Sequence, residues 1–286
     1  MAGIIPGPLI AGPEPVGRRY GLLSAAAGPI DLPEHGRGGG VRYVPVTCGE
    51  ATPYPVACAD GLVAHDAKEG QPDNALVEAL PFVVYASIEC GALGYREEEF
   101  RQKVERRLAN GEQGAVELAL WTGAVTVGGT PLGIENLQDS AVDIPVADDG
   151  DFAEVVGALE RYIYYTAGYG NVAYIHASVD MAAWAGDHHL IEKDGPLKKT
   201  PYGSIWIFGG GYPGTGAGGA APPAGGSYLY VTGQVTTWRS ADVFTYPVDQ
   251  TMDRFTNQRL LLSEREYAIG FDCATGRALF NPNGGS

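Results

Sequence analysis

Residues 79–123 read ALPFVVYASIECGALGYREEEFRQKVERRLANGEQGAVELALWTG. The first part alternates. Phe82, Val84, Ala86, Ile88 and Cys90 fall on one side of an extended chain, and Val83, Tyr85, Ser87 and Glu89 on the other, which predicts a strand over 81–90 with one buried face. The second part predicts a helix from near Arg96 to Trp121. Glu97, Glu98 and Glu99 occupy its first turn, where the helix dipole favours anions, and Glu97–Arg101 and Glu99–Lys103 have the favourable i,i+4 order. Phe100, Val104, Leu108, Gly111, Ala115 and Leu118 form one narrow apolar stripe. At the helical rise per residue the rod is roughly 39 Å long. Asn110-Gly111 is the place where it would kink or split, because glycine weakens a helix interior. So long and charged a helix, with no catalytic signature beside it, predicts a structural building block rather than a catalyst.

On the N-terminal side, residues 1–40 alternate prolines (Pro6, Pro8, Pro13, Pro15, Pro29, Pro33) with glycines. Proline stiffens and glycine bends, which predicts an arm lying on a surface, with a fully extended reach on the order of 100 Å. Ile4, Ile5, Leu9, Ile10, Leu22, Leu23 and Ile30 are too apolar for a solvated tail. Residues 41–46 read as a short strand. A turn-rich excursion through Gly49, Pro53, Pro55, Gly61, Gly70 and Pro72 then predicts a projecting loop over 41–78.

On the C-terminal side, a short helical piece is expected around 134–138 and a helix over 151–167. Asp151 and Glu154 resemble a capping box there, Phe152, Val155, Val156, Leu159 and Ile163 make the buried face, and Gly168 and Gly170 stop it. A strand at 172–176, a helical turn at 179–185 and a strand at 204–208 predict a local α/β layer. Residues 209–226 (GGGYPGTGAGGAAPPAGG) read as a flexible low-complexity loop. Short strands are expected at 228–232, 234–238, 243–248, 259–262, 267–273 and 277–280.

The chain has 286 residues, 45% of them hydrophobic, enough for one complex domain or two intimately joined ones. With 42 glycines and 20 prolines it favours turns and extended arms. Nineteen basic residues against 34 acidic ones give a net charge of −15, which repels nucleic acid at long range; enclosure of nucleic acid is compatible with that balance, a grip on it is not. No apolar run has membrane-spanning length, and the N-terminus lacks the pattern of a signal peptide, so cytoplasmic synthesis is expected. Cys48, Cys58, Cys90 and Cys273 fail the paired spacing of zinc sites. They read as free buried thiols, with a Cys48–Cys58 bridge as the alternative.

No catalytic, cofactor or metal residue is expected. Gly214, Gly216 and Gly219 match G-x-G-x-x-G in form, but Pro222-Pro223 forbids the helix that must follow. Asp187-His188-His189 with Glu192 would put two metal ligands on one helix face, yet the flanking Gly186 and Gly195 favour a solvated turn. His176 reads as a structural hydrogen-bonding residue at a strand end. Asp148-Asp149-Gly150-Asp151 reads as a helix-start turn rather than a calcium loop. Trp121, Tyr162, Tyr164, Tyr165, Tyr169, Tyr228 and Tyr230 suit either core packing or subunit contact.

The order of parts resembles tailed-bacteriophage major capsid proteins of the Hong Kong ninety-seven type. The segment from Pro81-Phe82-Val83-Val84-Tyr85-Ala86 through Cys90, the helix with its ending Glu117-Leu118-Ala119-Leu120-Trp121-Thr122-Gly123, and Tyr228-Leu229-Tyr230-Val231-Thr232-Gly233-Gln234-Val235 look like those of actinobacterial phages. The resemblance implies an α+β fold with an N-terminal arm (1–40), an extended β-loop (41–78) and a peripheral domain on a long spine helix (79–132). An axial domain (133–240) and strands returning to the peripheral domain (241–286) complete it. It implies a subunit that self-assembles into pentamers and hexamers of an icosahedral virion capsid around double-stranded DNA, held by enclosure, with no membrane. Portal, scaffold or decoration proteins are the further candidate partners. Inter-subunit contacts are expected at Ile4, Ile5, Leu9 and Ile10 of the arm, Tyr43 and Lys68 of the loop, and Phe100, Val104, Leu108 and Trp121 of the helix. Encapsulin shells share the fold and are the runner-up. A carbohydrate-binding or hydrolytic β-rich protein is the reading from another class. The Lys, Asn and Glu set that cross-links some relatives is not carried over, although Lys68, Asn281 and Asn283 stand in suggestive places.

Overall fold

In the computed structural model the charged rod is a single unbroken helix, α2 (Glu97–Thr122), of 26 residues. Gly111 does not split it; it lies on the solvent side, where an added Cβ would meet nothing. The buried face carries Phe100, Val104, Leu108, Val116, Ala119, Leu120 and Trp121, while Ala115 and Leu118 are exposed. The stripe therefore continues through Glu112 rather than Gly111. A charged residue can hold that position because Arg265 Nη1 donates to it at 2.9 Å and Tyr267 OH at 3.0 Å. The structure describes residues 19–32, 38–46, 48–49, 76–91, 97–147, 150–246, 252–253 and 258–283.

Helix α2 lies across a six-stranded sheet. Its long strands are β4 (Phe82–Gly91) and β16 (Gln258–Phe271), antiparallel from Gln258↔Gly91 to Tyr267↔Phe82. The other edge of β16 takes β13 (Val235–Arg239), β14 (Phe244–Thr245) and β15 (Met252–Asp253), and β1 (Ala27–Asp31) adds to β13 in parallel. The two strands expected at 259–262 and 267–273 are thus one strand of 14 residues. Its polar middle, Ser263 to Glu266, hid this: the side chains of Ser263, Glu264 and Arg265 pair with Thr245, Tyr246 and Glu112, and Glu266 N–H donates to Ser240 Oγ, rather than making a turn.

A second, seven-stranded sheet runs in the order β7 (Val142–Asp143), β17 (Gly276–Phe280), β12 (Ser227–Thr232), β8 (Tyr174–Ser178), β11 (Ile205–Gly209), β10 (Leu197–Lys199), β9 (Glu192–Asp194). The helices α4 (Phe152–Arg161), continued by a π-helical turn at Tyr162–Thr166, and α5 (Met181–Asp187) cover one face. There Phe152, Val155, Leu159 and Ile163 pack with Ile175, Trp206, Leu229 and Phe280. The opposite face sends Tyr174, Ile205, Ile207 and Tyr230 into a core shared with Leu120 and Trp121 of α2. Leu22 of α1 (Leu22–Ala25) and Leu137 of α3 (Leu137–Ser140) join it. Because both faces are covered, β8 and β11 are buried at every position. Two small antiparallel pairs complete the described residues: β2 (Val41–Tyr43) with β3 (Val77–Ala79), and β5 (Thr126–Val127) with β6 (Thr130–Pro131).

Four expectations are corrected. Residues 22–31 are not a surface arm, since Leu22 is fully buried and 27–31 form a sheet edge. The closing strands divide: β16 belongs to the first sheet and β17 to the second, while β13, expected in the axial layer, pairs with β16. Alternation shows that a strand exists but not which edge it joins. The glycine-rich segment is pinned rather than loose. Thr215 O accepts from Trp121 Nε1 and from Tyr230 OH, both at 3.0 Å, and Thr215 Oγ1 accepts from Gln138 Nε2 at 2.6 Å. Finally, Cys48 and Cys273 are not free thiols but bonded to one another, with Cα atoms 5.5 Å apart; Cys58, the alternative partner of Cys48, lies outside the described residues.

Candidate assembly surface

The geometry that fixes the rod is centred on Glu117, which is fully buried. Leu22 N–H donates to its Oε1 at 3.1 Å and Gly211 N–H to its Oε2 at 2.8 Å. One carboxylate on α2 thereby holds both the N-terminal turn and the glycine-rich segment. The contact is close enough to demand glycine: a Cβ at Gly211 would collide with Gly114 O of the helix, and one at Gly21 with the side chains of Gln113 and Glu117. Trp121 fills the space beneath, edge-on to Tyr230 at 4.7 Å and tilted against Tyr212 at 4.8 Å.

Next to it, His176 is buried in mid-strand. Its Nδ1 bonds Tyr212 OH at 2.9 Å and its Nε2 bonds Thr232 Oγ1 at 3.0 Å. Burial lowers its pKa to about 3, so the ring is neutral. The structural role expected for it holds, although it sits inside β8 and not at its end. Burial, and then the charge of Glu117, push the Tyr212 hydroxyl well above its ordinary value. Arg277 Nε donates to Asp143 Oδ1 at 2.6 Å and its Nη1 to Gln138 O at 2.7 Å. That hydrogen bond lowers the Asp143 carboxyl pKa.

His188 lies beside the rings of Phe152 and Trp184. No group of three metal-ligating side chains occurs among the described residues. Asp151 accepts from Glu154 N–H at 2.8 Å, which makes it the cap of α4. The glycine motif leads only into a 3-10 turn at Ala217–Gly219. No described helix is long and apolar enough to cross a membrane.

The residues expected to contact neighbouring subunits fall into three groups. Phe100, Val104, Leu108 and Trp121 are taken up by this chain's own core; Phe100 and Val104 pack on Leu261. These four side chains are buried within the subunit itself, so they do not face a neighbouring copy. Tyr43 is half-buried, its hydroxyl donating to Phe271 O at 3.0 Å and its ring 5.3 Å from Trp238. Ile4, Ile5, Leu9, Ile10 and Lys68 lie outside the described residues.

The exposed apolar surface is elsewhere. On the face of the first sheet turned away from α2, Val83 (44% exposed), Tyr85 (66%), Phe244 (56%) and Leu260 (45%) stand clear of the core. Tyr85 and Phe244 flank Glu264 in one row across β4, β16 and β14. The alternation in 81–90 already placed Val83 and Tyr85 outward, and two large apolar side chains on a solvent face were the readable signal. That Phe244 and Leu260 join them is a matter of strand pairing.

The sequence matches no protein-family model, and it matches no curated protein. Its fold does match solved structures over nearly the whole chain. A structure from Microbacterium phage Oxtober96 aligns with a TM-score of 0.57 at 11% identity, over 98% of this chain and 96% of that one. The capsid of an empty GTA particle aligns at 0.54 and 11% identity, over 97% and 95%. The capsid of Ralstonia phage GP4 aligns at 0.50 and 12% identity, over 96% of each. The fold is therefore the mixed α+β capsid fold of the Hong Kong ninety-seven type.

Proposed function

We propose that this chain is a major capsid subunit, assembling with copies of itself into the closed icosahedral head of a bacteriophage around double-stranded DNA. The observation that carries the reading is the end-to-end match with capsid structures, in which 95% or more of both chains is aligned. The six-stranded sheet with α2 corresponds to the peripheral domain, the seven-stranded sheet to the axial domain, and residues 41–78 to the extended loop. Arm residues 1–18 with Ile4, Ile5, Leu9 and Ile10, loop residue Lys68, and the outward face with Val83, Tyr85, Phe244 and Leu260 are the proposed contacts between copies. The net charge of −15 suits a wall that holds DNA without binding it. The role needs no covalent chemistry from the subunit.

The test is expression of the chain alone and with phage assembly factors, followed by size-exclusion chromatography and negative-stain microscopy. Closed shells of uniform diameter are expected, with DNA inside when packaging proteins are present. Shells that instead enclose a protein cargo would move the reading to a compartment of encapsulin type. A subunit that stays monomeric under every condition would end it.

A further inference from the structure

The root of the 41–78 segment is fastened to the turn between β16 and β17. Tyr43 OH donates to Phe271 O at 3.0 Å, Val46 N–H to Asp272 Oδ1 at 2.9 Å, and Cys273 N–H to Val46 O at 3.4 Å. Tyr169 OH secures the other oxygen of Asp272 at 2.9 Å. Tyr43 lies so close to Gly270 that a Cβ there would meet its ring. None of these contacts involves sulfur. Together they bring Cys48 and Cys273 into bonding register, 225 residues apart in sequence. Both side chains are half-buried, and Cys273 borders an open cavity of about 490 Å³ with Glu135, Tyr162 and Asp272, so a small reagent reaches it.

We propose that Cys48 and Cys273 are a late covalent fastening of the loop root: free thiols while subunits fold and assemble in a reducing cytosol, and a disulfide once the particle meets an oxidising medium. Only the timing rests on the capsid reading; the pairing does not. The oxidant is a small-molecule disulfide. The Cys273 thiolate attacks it, forming a mixed disulfide and expelling one small thiolate. The Cys48 thiolate then attacks Cys273 Sγ and expels the second. Two protein thiols lose two electrons and two protons, and the small disulfide is reduced to two thiols. The bond closes a loop spanning most of the chain, so it restricts the unfolded ensemble more than a short bridge would.

The experiment starts from particles purified in reductant and then treated with oxidised glutathione. Non-reducing peptide mapping should show the Cys48–Cys273 linkage only after treatment. Particle diameter should be unchanged, and the melting temperature should rise by roughly 5 °C or more. C48S and C273S should each assemble in reductant, melt with the reduced wild type and lose the oxidant-induced rise. A Cys48–Cys58 peptide, no linkage, a linkage already complete in reductant, or serine variants that cannot assemble would each overturn the proposal. If the wild type forms no particles at all, the capsid reading fails, while the same map on the free subunit still decides the pairing.

Discussion

Glu117→Ala removes a side chain that ties three separate segments together, and its cost can be worked from two hydrogen bonds. Glu117 is fully buried, and its oxygens accept Leu22 N–H at 3.1 Å and Gly211 N–H at 2.8 Å. Alanine leaves both donors without that acceptor in a dry interior. Each such group costs about 1–3 kcal/mol, and the lost packing adds to it, for a total of about 3–6 kcal/mol. Glu117→Gln keeps one acceptor but turns an NH2 toward a donor, for about 2–3 kcal/mol. In a chain of this length these losses lower the melting temperature by about 5–10 °C for alanine and about half that for glutamine. The assay is urea unfolding of the unassembled subunit, followed by fluorescence of the buried Trp121 and Trp206. The midpoint should fall while the slope is unchanged. If both variants unfold within ~0.5 kcal/mol of the wild type, the carboxylate is not the clasp described here.

Phe100→Asp should destabilise the free subunit by more than about 3 kcal/mol, seen as loss of soluble protein, because the charge would be buried against Leu261; normal solubility with failed assembly would return Phe100 to an intersubunit role. Gly211→Ala should lower the melting temperature, since the added methyl strikes Gly114 O, whereas Gly111→Ala, which meets nothing, should raise stability by ~1 kcal/mol. His176 has its folded pKa near 3, below its ordinary 6.5, so the unfolded chain takes up the proton first. Its contribution is complete above about pH 6.5 and is lost as pH falls toward 3, about 2 kcal/mol by pH 5; His176→Gln should flatten unfolding free energy against pH in that window. Tyr85→Asp with Phe244→Asp should leave melting of the free subunit within a degree or two and abolish particles, because both side chains already face water; particles of normal yield would remove this face from the assembly surface.

Local order was legible wherever one side of an element is buried and the other is wet. The strand at 81–90, the rod to Trp121, the cap at Asp151 and the buried face of α4 all follow from period and end chemistry. The errors arose where a residue's partner is distant. The stripe reads through Gly111 in the sequence because the partners that admit Glu112 to it, Arg265 and Tyr267, lie more than 150 positions away. Residues 209–226 looked loose because glycine advertises freedom, yet here it permits backbone-to-backbone approach to α2. Phe100, Val104 and Leu108 were offered to a neighbour because nothing local showed that β16 would cover them.

Propensity, periodicity and charge act within a few residues, so most of the elements, the acidic balance and the order of parts that resembles a capsid subunit could be read from the chain alone. Only the tertiary structure decided which apolar face stays bare, that β16 and β17 serve different sheets, and that Cys48 meets Cys273. Those outcomes depend on which surfaces exclude water from one another, and burial is a property of the assembled chain that no short window of residues contains.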